Sequence, residues 1–272
     1  MSEGSSATDP RRAEKLAAFD RLLTIMDELR EKCPWDRKQT MESLRHLTIE
    51  ETFELSDSIL DGDLDEIRKE LGDLMLHNVF YARIASEKNA FDMADVLNSV
   101  CDKLVKRHPH IYGDVVATDE ETVKANWEKI KLKENGDQPR SVLEGVPRSL
   151  PALIKAMRMQ EKARGVGFDW DHRDQVWEKV QEELKEFGDE FNEDPEKIDQ
   201  KRASEEFGDL LFSLINFARF IEINPEEALE RTNKKFLKRF QYLERESRAD
   251  GKDLADMTLE EMEYYWQKAK LI

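Results

Sequence analysis

The chain has 272 residues, 38% of them charged and 39% hydrophobic, with few Gly and Pro and a net charge of −17. That length suits one large domain or two ordinary ones, and that composition suits amphipathic helices better than a sheet. The acidic excess opposes binding to a nucleic acid polymer, because each phosphate contact needs Lys or Arg to displace counterions. A small nucleotide held through metal ions escapes that objection. No apolar run approaches the roughly 20 residues of a membrane span. Cys33 and Cys101 lack metal-ligand spacing and read as reduced thiols of a cytoplasmic protein.

Residues 1–10, rich in Ser, Gly, Asp and Pro without an apolar core, read as a disordered tail and not as a signal peptide or anchor. Apolar residues at Phe19, Leu22, Leu23, Met26 and Leu29 follow the three-four spacing of a helix over 11–31, which Pro34 ends. Helices over 41–60 and 65–87 flank a turn at Asp61-Gly62-Asp63, and Ile67, Leu71, Leu74, Met75, Val79 and Phe80 form the expected inward face of the second. A fourth helix, 93–107, stops at His108-Pro109-His110. Gly136, Pro139, Gly145 and Pro147 mark 134–150 as a linker between domains at 11–133 and 151–272. Beyond it, a helix over 151–164 has Gly165 as its C-terminal cap, and Gly167-Phe168-Asp169-Trp170 stands where Pro34-Trp35-Asp36 stood. Helices over 182–191 and 205–222 follow, the latter expected to bury Phe207, Leu210, Leu211, Leu214 and Ile221. Asn224-Pro225 then breaks the chain before a helix through Lys235 and Arg239.

One constellation occurs in each half. The first reads Glu50-Glu51-Thr52-Phe53-Glu54, Glu70-Leu71-Gly72-Asp73, Lys103 with Arg107, and Trp127 with Lys131. The second reads Glu182-Glu183-Leu184-Lys185-Glu186, Glu206-Phe207-Gly208-Asp209, Lys235 with Arg239, and Trp266 with Lys270. Asp73 to Arg83 and Asp209 to Arg219 are both ten positions, so the register inside the motifs is kept while the loops between them differ.

Residues three or four apart share a helix face, so Glu51 pairs with Glu54 and Glu70 with Asp73. Two such helices packed antiparallel bring four carboxylates to one point. At about 5 Å and an effective dielectric near 20, each like-charge pair costs ~3 kcal/mol, which a bound cation offsets. All-oxygen ligands without His or Cys select Mg²⁺ or Mn²⁺ over zinc. A lone Glu-Glu-X-X-Glu is usually a solvated face, but Glu70 with Asp73 and Glu206 with Asp209 interrupt strongly apolar helices, where carboxylates need partners. Gly72 and Gly208 each cost about 1 kcal/mol relative to Ala, and that suggests a close approach to the backbone. Lys103 with Arg107 and Lys235 with Arg239 can present paired cations to a polyphosphate. Trp127 with Lys131 and Trp266 with Lys270 can stack a base and bind an outer phosphate.

As a set these motifs, with Cys33-Pro34-Trp35-Asp36, Arg107-His108-Pro109-His110, Pro147-Arg148-Ser149-Leu150-Pro151 and Val166-Gly167-Phe168-Asp169-Trp170, resemble the MazG-type nucleoside triphosphate pyrophosphohydrolases of the all-α NTP pyrophosphatase group. The resemblance runs from about Phe19 to Lys270. It implies all-α, tandem helical-bundle domains, a homodimer, and Mg²⁺-dependent hydrolysis of nucleoside triphosphates to monophosphates and pyrophosphate, a housecleaning activity on the nucleotide pool. Carried over by motif, Glu183, Glu186, Glu206 and Asp209 are the expected metal ligands, matched in the first copy by Glu51, Glu54, Glu70 and Asp73. Lys235, Arg239, Trp266 and Lys270 are the expected nucleotide contacts. Glu182, beside Glu183, is the candidate for orienting or deprotonating the attacking water. The denser basic run Lys234-Lys235-Phe236-Leu237-Lys238-Arg239 favours the second copy as the main site.

A di-iron bundle needs a His three after a Glu, which none of His46, His77, His108, His110 and His172 provides. An isoprenoid-type diphosphate synthase uses Asp-dominated motifs, and these are Glu-dominated. The rival from another class is a non-catalytic helical dimer that regulates a partner through solvated acidic faces.

Overall fold

The computed structural model describes residues 9–116, 119, 122–123, 126–127, 130, 141–192 and 198–271. Most of the expected tail, residues 134–140 of the expected linker, and Lys131 lie outside the described residues. Helices dominate and no strand occurs among the described residues. The chain divides into two compact units, Met1–Trp127 and Glu128–Ile272.

In the first unit α1 (Arg12–Lys32) leads through a single 3-10 turn to α2 (Met41–Asp61), α3 (Leu64–Glu87), α4 (Met93–Arg107) and the one-turn α5 (Pro109–Tyr112). Local chemistry sets these limits. Thr40 Oγ accepts from Ser43 N at 3.1 Å while Ser43 Oγ accepts from Thr40 N at 2.9 Å, a reciprocal cap that starts α2. Gly62 ends α2 with φ +70°, a left-handed conformation that glycine adopts without steric cost. Asp63 then caps α3, its carboxylate accepting from Asp65 N and Glu66 N at 3.0 and 3.1 Å. A two-residue connection leaves α2 and α3 no arrangement but an antiparallel hairpin, joined midway by the 2.6 Å hydrogen bond between Thr48 Oγ1 and Tyr81 OH.

Met26, Leu44, Val79, Phe80 and Ile84 form the core where α1 meets this hairpin. Arg30 reaches across it, donating to both carboxylate oxygens of Glu87 at 2.8 and 2.9 Å and to the carbonyls of Asp36 and Gln39. One guanidinium therefore anchors the Pro34-Trp35-Asp36 segment to the end of α3.

The second unit runs α6 (Ala152–Arg164), α7 (Arg173–Asn192), α8 (Gln200–Phe220), α9 (Pro225–Ala249) and α10 (Leu259–Ala269). Asp199, Asn224 and Thr258 cap α8, α9 and α10 through their side chains. α7 begins nine residues before the expected 182, because Val176 and Val180 add a buried stripe to its first turns. Gly165 takes the C-cap position of α6 in a right-handed conformation (φ −59°), and the left-handed turn falls two residues later at Gly167 (φ +86°).

Two expectations are corrected. A Cβ placed on Gly72 or Gly208 meets nothing within 4 Å, so neither glycine marks a close backbone approach within its unit. The apolar positions of α3 and α8 also do not all point inward. Val79, Phe80, Leu210 and Ile215 are buried, whereas Leu71, Met75, Phe207, Leu211, Leu214 and Ile221 are exposed. Both helices are apolar on more than one face, and α1 with α2, or α6 with α7, covers one of them.

Candidate functional site

The α2–α3 hairpin sets a carboxylate oxygen from each of Glu51, Glu70 and Asp73 within 4.8 Å of the others. Glu70 is buried and its Oε2 has no hydrogen-bond partner. Burial raises the Glu51 carboxyl above the ordinary carboxylate range, and the charges of Asp73 and Glu54 add to the rise. Glu70 is raised by burial, then by its hydrogen bond with Glu51 and the charges of Glu51 and Asp73. Glu54 is raised in the same direction by burial and then by Glu70, although it is exposed and stands outside the triplet.

In the second unit the corresponding triplet is Glu183 and Glu186 of α7 with Glu206 of α8, again within 4.8 Å. Burial, then Glu186, Asp209 and Glu183, raises the Glu206 carboxyl. Asp209 lies outside the triplet and lines the cavity beside it. Lys179 enters here: its Nζ lies 2.7 Å from Glu183 Oε1 and 3.1 Å from Glu182 Oε1, and those bonds lift the ammonium above the usual lysine range. Lys179 stands four before Glu183, and Leu47 holds the matching place before Glu51. Glu182 itself is exposed.

Both triplets suit a hard divalent cation. Their donors are oxygens alone, they are held by paired helices, and in the first unit a buried acceptor lacks any partner.

A cavity of about 730 Å³ opens between α6, α7, α8 and the 166–170 loop. Lys179, Glu183 and Asp209 line one part of it, and Gln160, Phe168 and Trp170 are among the residues lining the rest. Asp169 shapes this loop by accepting from both terminal nitrogens of Arg219, which also rests 4.5 Å from the centre of the Phe220 ring.

Residues 39–112 match the MazG nucleotide pyrophosphohydrolase domain. The chain is 43% identical over 256 residues to the nucleoside triphosphate pyrophosphohydrolase of Escherichia coli K12, an alignment covering 93% of this chain and 97% of that one. It is 42% identical over 254 residues to the nucleoside triphosphate pyrophosphohydrolase/pyrophosphatase MazG of Thermotoga maritima, covering 93% and 95%. The chain belongs to the MazG family. A longer relative, the uncharacterized protein YabN of Bacillus subtilis, is 46% identical over 265 residues, which is 96% of this chain and 54% of YabN.

In this MazG chain the basic and aromatic residues expected to contact nucleotide in the second unit fall outside the cavity lining. Trp266 of α10 packs 5.1 Å from Phe236 of α9, with the Arg239 guanidinium 6.0 Å from its ring centre, and Lys235 and Lys270 are exposed. None of the four lines the cavity. In the first unit the Arg107 guanidinium lies 5.4 Å from the Trp127 ring centre and Lys103 is exposed on α4. Lys179 escaped notice in the sequence, although its four-residue step to Glu183 was a usable signal.

Carboxyls raised by burial and mutual repulsion oppose folding once ionised. Their folded pKa values exceed the unfolded ~4.3, so the metal-free chain loses stability as pH rises through the raised values. Glu70→Gln is expected to raise the thermal midpoint of the chelator-treated protein at neutral pH and to shrink the gain on adding Mg²⁺. Differential scanning calorimetry reads both, and a lower midpoint in the chelated variant contradicts the account.

Proposed function

We propose that the second unit carries the main hydrolytic site of this nucleoside triphosphate pyrophosphohydrolase, with Mg²⁺ or Mn²⁺ held by Glu183, Glu186, Glu206 and Asp209. The observation that carries this reading is the cavity that joins Glu183, Asp209 and Lys179 to a largely apolar interior large enough for a nucleoside. A divalent cation supplies charge for phosphate oxygens and lowers the pKa of a bound water, the chemistry that attack at the α-phosphorus requires. The protein's own part is electrostatic. The carboxylates hold the cation, and Lys179 sets a fixed positive charge at the cavity beside them, where a triphosphate brings negative charge. Lys235, Arg239, Trp266 and Lys270 are the proposed further nucleotide contacts, the basic three offsetting the charge of the leaving pyrophosphate. Glu182, 3.1 Å from Lys179, is the proposed group for orienting the water. In the first unit Glu51, Glu54, Glu70 and Asp73 form the proposed lesser site, with Lys103, Arg107, Trp127 and Lys131.

Phosphorus NMR of the products tests the reaction. Monophosphate plus pyrophosphate is expected, and diphosphate plus orthophosphate as first products excludes attack at the α-phosphorus. Glu183→Gln and Asp209→Asn should each lower turnover on the order of 10²-fold or more, the scale for losing a preorganised electrostatic group. Glu51→Gln and Asp73→Asn should cost much less. Equal losses in both units, with folding intact by circular dichroism, overturn the assignment to the second.

The reading includes a homodimer, supported by the exposed apolar faces of α3 and α8 at Leu71, Met75, Phe207, Leu211 and Leu214. Light scattering on a sizing column should return about twice the chain mass of 31.9 kDa. A fully active monomer contradicts it.

A further inference from the structure

Lys179 stands one helical turn before Glu182 and Glu183 on α7, and its Nζ lies 3.1 Å from Glu182 Oε1 and 2.7 Å from Glu183 Oε1. The two partners differ. The Glu183 side chain is 8% exposed and belongs to the carboxylate triplet, whereas the Glu182 side chain is 55% exposed and stands outside it. The charge-assisted bond to the buried carboxylate is the stronger, because water competes less for it. Residues three and four apart share a helix face, so the ammonium can leave Glu183 and keep Glu182 by turning about its own flexible stem. With its side chain 38% exposed, Lys179 has room for that turn.

A divalent cation on the Glu183 carboxylate repels this ammonium twice as strongly as a unit charge would. Lys179 and the cation therefore compete for one carboxylate. A cation arriving alone must expel Lys179 unaided. A triphosphate changes the balance, since its oxygens, in the cavity that Lys179, Glu183 and Asp209 line together, offer the ammonium a new partner as the cation takes its old one. In the first unit the place four before Glu51 is held by Leu47, which packs against the core and carries no charge.

We propose that Lys179 is a positioning residue, a resident counter-ion that holds Glu183 until a triphosphate draws it off, so that the second unit resists free divalent cation and loads it together with the nucleotide. Cation and triphosphate then promote each other's binding, because each removes what competes with the other. This proposal rests on the second unit being the hydrolytic site.

The test is a Mn²⁺ titration of the intact, chelator-treated chain without nucleotide, read by electron paramagnetic resonance of the free ion. Glu51→Gln with Asp73→Asn silences the first unit, so the binding observed is that of the second. In that background Lys179→Met should tighten Mn²⁺ roughly fivefold or more, the scale for removing a charge-assisted competitor. Lys179→Arg, which keeps the charge, should leave the affinity near that of the parent. A lysine needed only for helix packing gives the opposite sign, since loosening the site weakens the ion. The gain in affinity should come with a loss of triphosphate turnover at saturating Mn²⁺. Lys179→Gln is the second neutral variant if the methionine chain folds poorly. Unchanged or weaker Mn²⁺ binding in a folded neutral variant overturns the proposal, as does an arginine variant that tightens binding as methionine does. Saturable binding that an added Glu183→Gln leaves unweakened, or no saturable binding in any of these chains, shows instead that the second unit's carboxylates are not the metal site.

Discussion

Everything functional in this molecule depends on carboxylates kept close together on helices that cannot separate. A solvated run of Glu relaxes its repulsion by turning side chains into water. Glu51, Glu70 and Asp73 cannot, because Gly62 and Asp63 close α2 and α3 into a hairpin, with Glu70 buried between them. Asp199 caps α8 in the same way and helps to set Glu206 against Glu183 and Glu186. Helix caps, the Thr48–Tyr81 hydrogen bond and the Met26–Phe80 core hold a charge arrangement that the isolated chain would disperse.

The two units resolve this constraint differently. Lys179 gives Glu183 an internal counter-charge, and Leu47 gives Glu51 none. Four residues after the aspartate, His77 in the first unit stands where Ser213 stands in the second. His77 is buried, its Nδ1 has no partner, and burial lowers its pKa against the opposing charge of Asp73, so the first unit has a bulky ring near Asp73 where the second has a small hydroxyl beside its cavity. Similar carboxylate motifs are therefore set in unlike surroundings.

Much of this was legible in the sequence, because helices, turns and caps are written in local patterns. The 93–107 helix, the Gly62 turn and the carboxylates that meet across each hairpin follow from three-four spacing and short-range turn chemistry. Less local facts were not legible. Periodicity marks Leu71 and Phe80 alike as apolar, and only packing decides that one is exposed and the other buried. The Asp169–Arg219 fork joins residues 50 positions apart, and no local signal announces it. Gln160 is one amide in a polar helix, distinguished by the carbonyl of Phe212 that it meets 52 residues later. Gly72 and Gly208 suggested crowding because a helix glycine is costly, yet the space beside each is open within the unit.

Proton-linked metal binding tests the central claim most directly. Carboxyls raised by burial and by one another keep a proton to higher pH than ordinary carboxyls, and a cation that takes their oxygens displaces it. Titration calorimetry of Mg²⁺ or Mn²⁺ into the intact protein, repeated in buffers of different ionisation enthalpy, measures that release. The account predicts saturable binding with net proton release that grows as pH is lowered from neutral. Absence of saturable binding, or binding without proton release across that range, contradicts it.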